Sequence, residues 1–270
     1  MTQPTISVIT PSYNQSEFLE KNLRSVRDQE INDIEHIVID GGSNDGSVEL
    51  LRDYESQYNL TWISEPDRGQ SHAVNKGLEL ATGEWIGWQN SDDFYLPNAF
   101  EIVSEAINSN RDVDVIYGDA LFVDEYGDKI IRIHHTRPSK FVQRYWSLFT
   151  TNQSLFARKA VWEDIGGLDE ELYYTMDAKF TWEILNGDYC CVGVQQPLGA
   201  FRVQENAKTF GNVKEEQRNE SDQFYPSPWY ESFLPRTVLE NMAKGVKAAY
   251  LLRDGRWVPI KNKLHELKKE

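Results

Sequence analysis

The sequence predicts an α/β fold, a Rossmann-like, mostly parallel sheet flanked by helices, and three observations predict it. Over the first hundred residues, short β-branched runs alternate with segments whose apolar residues recur at helical spacing. Most of the strand-like runs end in Pro, Gly, Asp or Asn. A strand–helix–strand order of this kind closes into a parallel sheet with helices on both faces, because right-handed crossovers permit little else.

The elements follow in order. Ile6 to Thr10 is a β-branched run stopped by Pro11. Glu17 to Arg27 sets Leu19, Leu23 and Val26 on one helical face, with Ser16 as the expected N-cap. His36 to Ile39 is the second strand and ends in Asp40; the turn Gly41 to Gly46 leads into a helix carrying Leu51, Tyr54 and Tyr58. Leu60 to Ser64 is the third strand and Ser71 to Leu80 the third helix, closed near Gly83. Trp85 to Trp88 is the fourth strand and runs into Gln89-Asn90-Ser91-Asp92-Asp93. Beyond it, strands are expected at Val113 to Tyr117, Leu121 to Val123, Ile130 to Ile133, Gln153 to Ala157, Cys190 to Val194 and Gly199 to Val203. Helices are expected before the Gly166-Gly167 break and around Asp177 to Leu185. A boundary near residue 210 separates a main domain, 1–210, from a helical, basic C-terminal extension, 211–270. Within the extension, Arg236 to Leu252 places Val238, Leu239, Met242, Val246, Ala249 and Tyr250 on one helical face.

The 270 residues, 40% of them hydrophobic, suffice for one full-sized core. A formal net charge of −15 argues against nucleic acid as a partner, since phosphate backbones demand a basic surface. The charge is uneven: 236–270 holds nine Lys/Arg against four Asp/Glu, so this stretch carries +5 and the rest −20. Such a tail suits packing on its own domain or peripheral contact with an anionic membrane. No run approaches the roughly 20 apolar residues that span a bilayer, and Met1 to Pro4 leads straight into a strand without a leader-like segment. The adjacent Cys190 and Cys191 are expected as buried thiols of a reducing cytosol. Together these features point to a cytoplasmic location, peripheral at the inner membrane face where the tail engages it.

Ligands of such sheets bind beyond the carboxyl ends of the strands. Asp40, the turn Pro66-Asp67-Arg68-Gly69 and the pair Asp92-Asp93 all fall there. Two unit charges about 4 Å apart at an effective dielectric near 20 interact by roughly 4 kcal/mol, so a divalent cation relieves adjacent carboxylates. Hard oxygen donors suit Mg²⁺ or Mn²⁺; the plainer alternative is a turn with Asp as a cap before Pro97. Asp40 before Gly-Gly is also ordinary turn chemistry, and Arg68 suits either a phosphate or base contact or simple exposure. The glycine turn matches neither the phosphate-cradling nor the dinucleotide-binding fingerprint.

Four blocks resemble those of the family 2 glycosyltransferases of GT-A fold. They are Ile6 to Asn14, Ile37 to Ser47, Glu65 to Gly77, and Ala81 to Trp85 followed by Asn90-Ser91-Asp92-Asp93. The likeness continues more weakly through Gln153, Gly166-Gly167, Met176-Asp177 and Phe201-Arg202 to about Thr209. The resemblance implies that Pro11 and Tyr13 line a nucleobase pocket, that Asp40 accepts a hydrogen bond from the base and that Arg68 lies beside base or diphosphate. It implies that Asp92 and Asp93 hold Mn²⁺ or Mg²⁺ and the donor's ribose or sugar, and that Asp177 is the general base of an inverting transfer. The implied donor is a nucleotide-diphospho-sugar, UDP-sugar favoured, and the implied acceptor a glycan or lipid-linked hydroxyl in surface polysaccharide or glycoconjugate assembly.

Three positions depart from the pattern. Asn90 stands where the acidic block often begins with Asp, and His72 where related sequences often carry an acid. Gln204 replaces a histidine that helps hold metal or diphosphate in parts of the family, and glutamine is a poor replacement as a ligand. Two other readings compete: an idle nucleotide-sugar-binding module of the same fold, and a nucleotidyltransferase. The uncharged loop Pro11 to Gln15 disfavours the second, which needs basic residues for a triphosphate. Trp146, Trp162, Tyr173, Tyr174 and Trp182 are candidates to stack on sugar rings, with core packing as the alternative.

Overall fold

The four N-terminal strands form as β1 (Ile6–Ser12), β2 (Ile34–Asp40), β3 (Leu60–Ser64) and β4 (Trp85–Trp88), paired in parallel in the order β3-β2-β1-β4. They alternate with α1 (Ser16–Arg27), α2 (Ser47–Tyr54) and α3 (Gln70–Leu80). The computed structural model describes residues 6–31, 33–204 and 214–255. Strand β1 is buried along its whole length, as a strand covered on both faces must be. Helix α3 lies close on it: a Cβ added at Gly77 would sit 2.4 Å from Ile9 Cγ2.

The chain continues through β5 (Phe94–Tyr95), α4 (Ala99–Ser109), β6 (Val115–Val123), β7 (Lys129–Ile133), α5 (Lys140–Tyr145), β8 (Leu155–Arg158), α6 (Lys159–Ile165), α7 (Met176–Asn186) and β9 (Cys191–Arg202). The sheet extends as β4-β8-β6-β9-β5, with β7 on β6. Strand β8 enters antiparallel to both β4 and β6, while β6 and β9 pair in parallel. Two hydrophobic clusters fill the two faces: Ile9, Trp88, Trp162 and Phe180 on one, and Val8, Trp85, Tyr95, Phe100 and Phe156 on the other.

Several sequence expectations are revised. Ser16 is the first helical residue rather than the cap; its N–H donates to Asp45 Oδ2 at 2.9 Å. Tyr58 lies past α2, with its hydroxyl 2.8 Å from Nδ1 of the fully buried His36. Burial pushes that imidazole down to about 3, which keeps it neutral. The two strands expected over 113–123 are one, as are the two over 190–203. Pro197 does not break β9 because it falls opposite Asp119, where the β6–β9 register shifts and a bulge absorbs the missing donor. Cys190, just before β9, is exposed, and Cys191, the first residue of β9, is half-buried against the main core cluster. Burial nonetheless pushes the Cys191 thiol up to about 12.

After the main sheet come α8 (Lys214–Phe224), a turn of 3₁₀ helix (Trp229–Ser232) and α9 (Arg236–Arg253). Tyr225, just past α8, meets Trp182 of α7 edge-on at 4.7 Å. Helix α9 rests on α5 through Leu239 and Ala243 against Tyr145. The face read from sequence is therefore split: Leu239 is buried, whereas Val238, Met242 and Ala249 are exposed. Among the described residues no helix is long and apolar enough to cross a membrane.

Candidate active site

A cavity of about 680 Å³ opens at the carboxyl ends of β1, β2 and β4. One wall carries Pro11, Tyr13, Gly41, Pro66 and Asp67. A side chain at 41 would crowd this wall: an added Cβ would lie 2.9 Å from Asp67 Oδ2 and 3.1 Å from Tyr13 Cδ2, so both side chains would have to shift. Pro11 is buried at the end of β1, and Tyr13 is 61% exposed, leaving its ring available to a planar ligand. Asp40 lies behind this wall, fully buried. Its carboxylate accepts the N–H groups of Gly42 (3.1 Å) and Ser43 (2.9 Å) and the hydroxyls of Ser64 (2.6 Å) and Ser43, so it shapes the glycine turn. The carboxylate presented to the cavity on this side is that of Asp67, which also accepts the Gly69 N–H at 2.8 Å. Arg68 points away from the cavity walls: its guanidinium is exposed and pairs with Glu170 at 2.6 Å.

The acidic strand end divides its labour. Asp92 lines the cavity, and the Gln204 amide Nε2 donates to its Oδ2 at 2.9 Å. Asp93 does not line it; it is 1% exposed and turned into the protein. Its oxygens accept the Arg202 backbone N–H (2.8 Å) and the Gln153 amide (2.5 Å), with Asn90 Nδ2 at 3.4 Å. Burial, and then the charge of Asp92, hold the Asp93 carboxyl well above the usual carboxylate range. Of the two carboxylates, Asp92 lines the cavity and Asp93 does not. Asn90 is equally occupied, its Oδ1 accepting from Gln70 Nε2 (2.7 Å) and Trp88 Nε1 (3.0 Å).

The opposite wall is built by the start of α7 and the loop before it: Tyr173, Tyr174, Met176 and Asp177. Tyr173 and Tyr174 pack edge-on, ring centroids 4.8 Å apart. Asp177 stands in the first helical turn, where its Oδ1 accepts the Ala178 N–H at 2.7 Å. Burial pushes its carboxyl up to about 6, only partly offset by that hydrogen bond. Of the five aromatics considered for sugar stacking, only Tyr173 and Tyr174 reach the cavity. Trp162 stacks on Phe180 in the core at 3.9 Å, Trp182 packs on Tyr225, and Trp146 lies beneath Lys244 of α9.

The cavity carries three carboxylates, Asp67, Asp92 and Asp177, and no cationic side chain among its described lining residues, so a polar ligand that is itself anionic fits it together with a cation. Ser12 Oγ, Gln15 Oε1 and Asn152 Nδ2 belong to its lining residues and are buried polar atoms without a hydrogen-bond partner. Among the described residues no cluster of three or more His, Cys, Asp or Glu side chains forms a metal cage. That donor set still fits Mg²⁺ or Mn²⁺, which bind through one or two carboxylates with substrate phosphates and water completing the shell. Gln204 and Asp177, singled out in the sequence by resemblance, line the cavity; Asp67 stood in the sequence only as part of its strand-end turn, and Asn152 precedes its strand without a motif and was not singled out.

The Glycosyl transferase family 2 model matches residues 7–165. An uncharacterised glycosyltransferase of Mycobacterium tuberculosis is 32% identical over 183 residues, 66% of this chain and 67% of that one. Among solved structures, Staphylococcus aureus TarS 1–349 in complex with UDP-GlcNAc superposes with a TM-score of 0.64 at 19% identity, covering 97% of this chain and 77% of that one. Mannosyltransferase PcManGT of Pyrobaculum calidifontis in complex with GDP-Man and Mn²⁺ gives 0.61 at 16% identity, covering 100% and 81%. With a GT-A fold and a cavity at the strand ends where the family model matches, the chain belongs to glycosyl transferase family 2, a glycosyltransferase by descent.

Proposed function

We propose that the protein transfers a sugar, with inversion, from a nucleotide diphosphate donor to a hydroxyl of a glycan or lipid-linked acceptor. The observation that carries this reading is one cavity lined on one side by Pro11, Tyr13 and Asp67, at its floor by Asp92, and on the far side by Asp177. Tyr13 and Pro11 would hold the nucleobase, and Asp67, rather than the buried Asp40, would meet its polar edge. A UDP-sugar is the favoured donor; the TarS neighbour is in complex with UDP-GlcNAc and PcManGT with GDP-Man.

Asp92 would hold a divalent cation, which supplies Lewis-acid stabilisation of the departing diphosphate. Asp93, from behind, fixes the strand end through Arg202 and Gln153. Asp177 accepts the acceptor hydroxyl's proton as it attacks the anomeric carbon. A carboxyl near 6 is mostly ionised at neutral pH yet more basic than an ordinary Asp, the compromise general-base catalysis favours. Tyr173 and Tyr174 would flank the incoming sugar.

We further propose that the acceptor is met at an anionic membrane's cytoplasmic face. Val238, Met242, Gly245, Ala249 and Leu252 form an exposed stripe along α9 at alternating steps of four and three residues. Trp229 and Phe233, 77% and 76% exposed, extend the apolar surface beyond the helix start. Helix α9 carries Arg236, Lys244, Lys247 and Arg253 against Glu240, and the sequence 236–270 carries +5 in a chain of −15, a balance that favours contact with an anionic surface.

The donor site is tested by thermal unfolding with UDP, GDP, dTDP and CDP, each with and without Mn²⁺. Ligand at 100 times its dissociation constant stabilises by about 2.7 kcal/mol, roughly 5–10 °C for a domain of this size. A shift with one nucleotide that needs Mn²⁺ and is lost in Asp92→Ala is expected. No shift with any of the four would overturn the donor-site reading; a shift without release of nucleoside diphosphate from a sugar donor would favour the idle binding module.

A further inference from the structure

The loop that carries the acceptor-side wall is held by a residue from far along the chain. Glu220 of α8 places Oε1 3.0 Å from the Tyr173 N–H. Its Oε2 accepts the N–H groups of Tyr174 (2.8 Å) and Thr175 (3.0 Å) and the Thr175 hydroxyl (3.0 Å). These are the last three residues before α7, and the N-cap Thr175 makes no side-chain cap of its own. A helix start leaves its N–H groups without intrahelical partners and favours negative charge. Here the charge comes from 45 residues downstream rather than from the local sequence.

Helix α8 is itself braced. Arg144, with a side chain 6% exposed, pairs with Asp222 at 3.4 Å and with Glu231 at 2.9 Å. The Gln143 amide donates to the carbonyl of Ala178 (2.9 Å) and reaches the Tyr225 hydroxyl (3.3 Å). The α5–α8 brace therefore grips the first turn of α7 on both sides of Asp177.

We propose that Glu220 is a positioning residue for sugar transfer: it fixes Tyr173 and Tyr174 in the cavity wall and Asp177 two residues beyond Thr175. By this inference α8 completes the active site and is not an independent appendage. It rests on the reading of Asp177 as the general base. Charge-assisted bonds to three consecutive N–H groups leave the loop one conformation. A displacement of about 1 Å at a reacting group can cost on the order of 100-fold in rate.

The test compares Glu220→Gln and Glu220→Ala with wild type and Asp177→Ala. The readouts are amide hydrogen exchange over 173–176, UDP and GDP binding, and release of nucleoside diphosphate from UDP-GlcNAc and GDP-Man with water as acceptor. Expected are exchange at least tenfold faster in both Glu220 variants, nucleotide dissociation constants within twofold of wild type, and kcat reduced 10- to 100-fold without a rise in donor KM. Unchanged exchange at 173–176 overturns the inference whatever the turnover, as does nucleotide binding lost in parallel with kcat, which would mark a merely structural role. Full activity in Asp177→Ala would instead sink the base assignment. A dead Asp177→Ala beside fully active Glu220 variants would sink only the positioning role.

Discussion

Replacing Asp177 by Asn should destroy turnover and yet raise stability at neutral pH. The Asp177 carboxyl is displaced by burial from its ordinary value of 3.8 to about 6. The folded state thus holds the proton more tightly than the unfolded chain does. Stability from that proton is fully present below about pH 4 and is lost as pH rises through 6. Above pH 7 the two-unit displacement corresponds to about 3 kcal/mol, at 1.36 kcal/mol per unit. Asn has the same shape, can accept the Ala178 N–H and carries no charge to desolvate. Urea unfolding of wild type and Asp177→Asn at pH 3.5, 5.5 and 7.5 is expected to show a gap that opens with pH. It should be near zero at the lowest and up to about 3 kcal/mol in the variant's favour at the highest. In wild type, turnover should fall about tenfold between pH 7 and 5 as the carboxylate is protonated, and the variant should lose a factor of about 10²–10⁴ throughout. A variant less stable than wild type at pH 7.5, or a gap independent of pH, would refute the argument that the site is strained by a desolvated charge.

Two further outcomes are expected. Gln204 donates to Asp92, so Gln204→Glu, which replaces that donor with a carboxylate beside Asp92, should tighten Mn²⁺ binding by isothermal titration by about tenfold; weaker or unchanged binding would place Gln204 outside the cation's reach. The protein should cosediment with phosphatidylglycerol vesicles and not with phosphatidylcholine vesicles, and Trp229→Ser with Phe233→Ser should abolish this. Equal partitioning of wild type and double variant would sink the membrane reading.

The elements legible in the sequence were those whose signals are local. Strands Leu60–Ser64 and Trp85–Trp88 coincide with their β-branched or aromatic runs; β4 is buried at every position, whereas β3, at the sheet's edge, is buried only at Leu60. The N-terminal motifs were equally clear, since a turn at a strand end constrains its residue types directly. The sequence by itself, through the resemblance of ordered blocks, implied that Pro11, Tyr13, Asp92 and Asp177 share one site, and all four line one cavity. Only the tertiary structure decided which carboxylates meet the cavity. Asp92 and Asp93 are neighbours in the turn between β4 and β5, yet Asp92 lines the cavity while Asp93 is buried, its carboxylate held by the Arg202 N–H and the Gln153 amide. Hydrogen bonds from Gly42, Ser43 and Ser64 likewise draw Asp40 inward, while Asp67 lines the cavity. Glu220 gave no sign in the sequence, because its partners are backbone N–H groups, which every residue but proline carries, and they lie more than forty residues away.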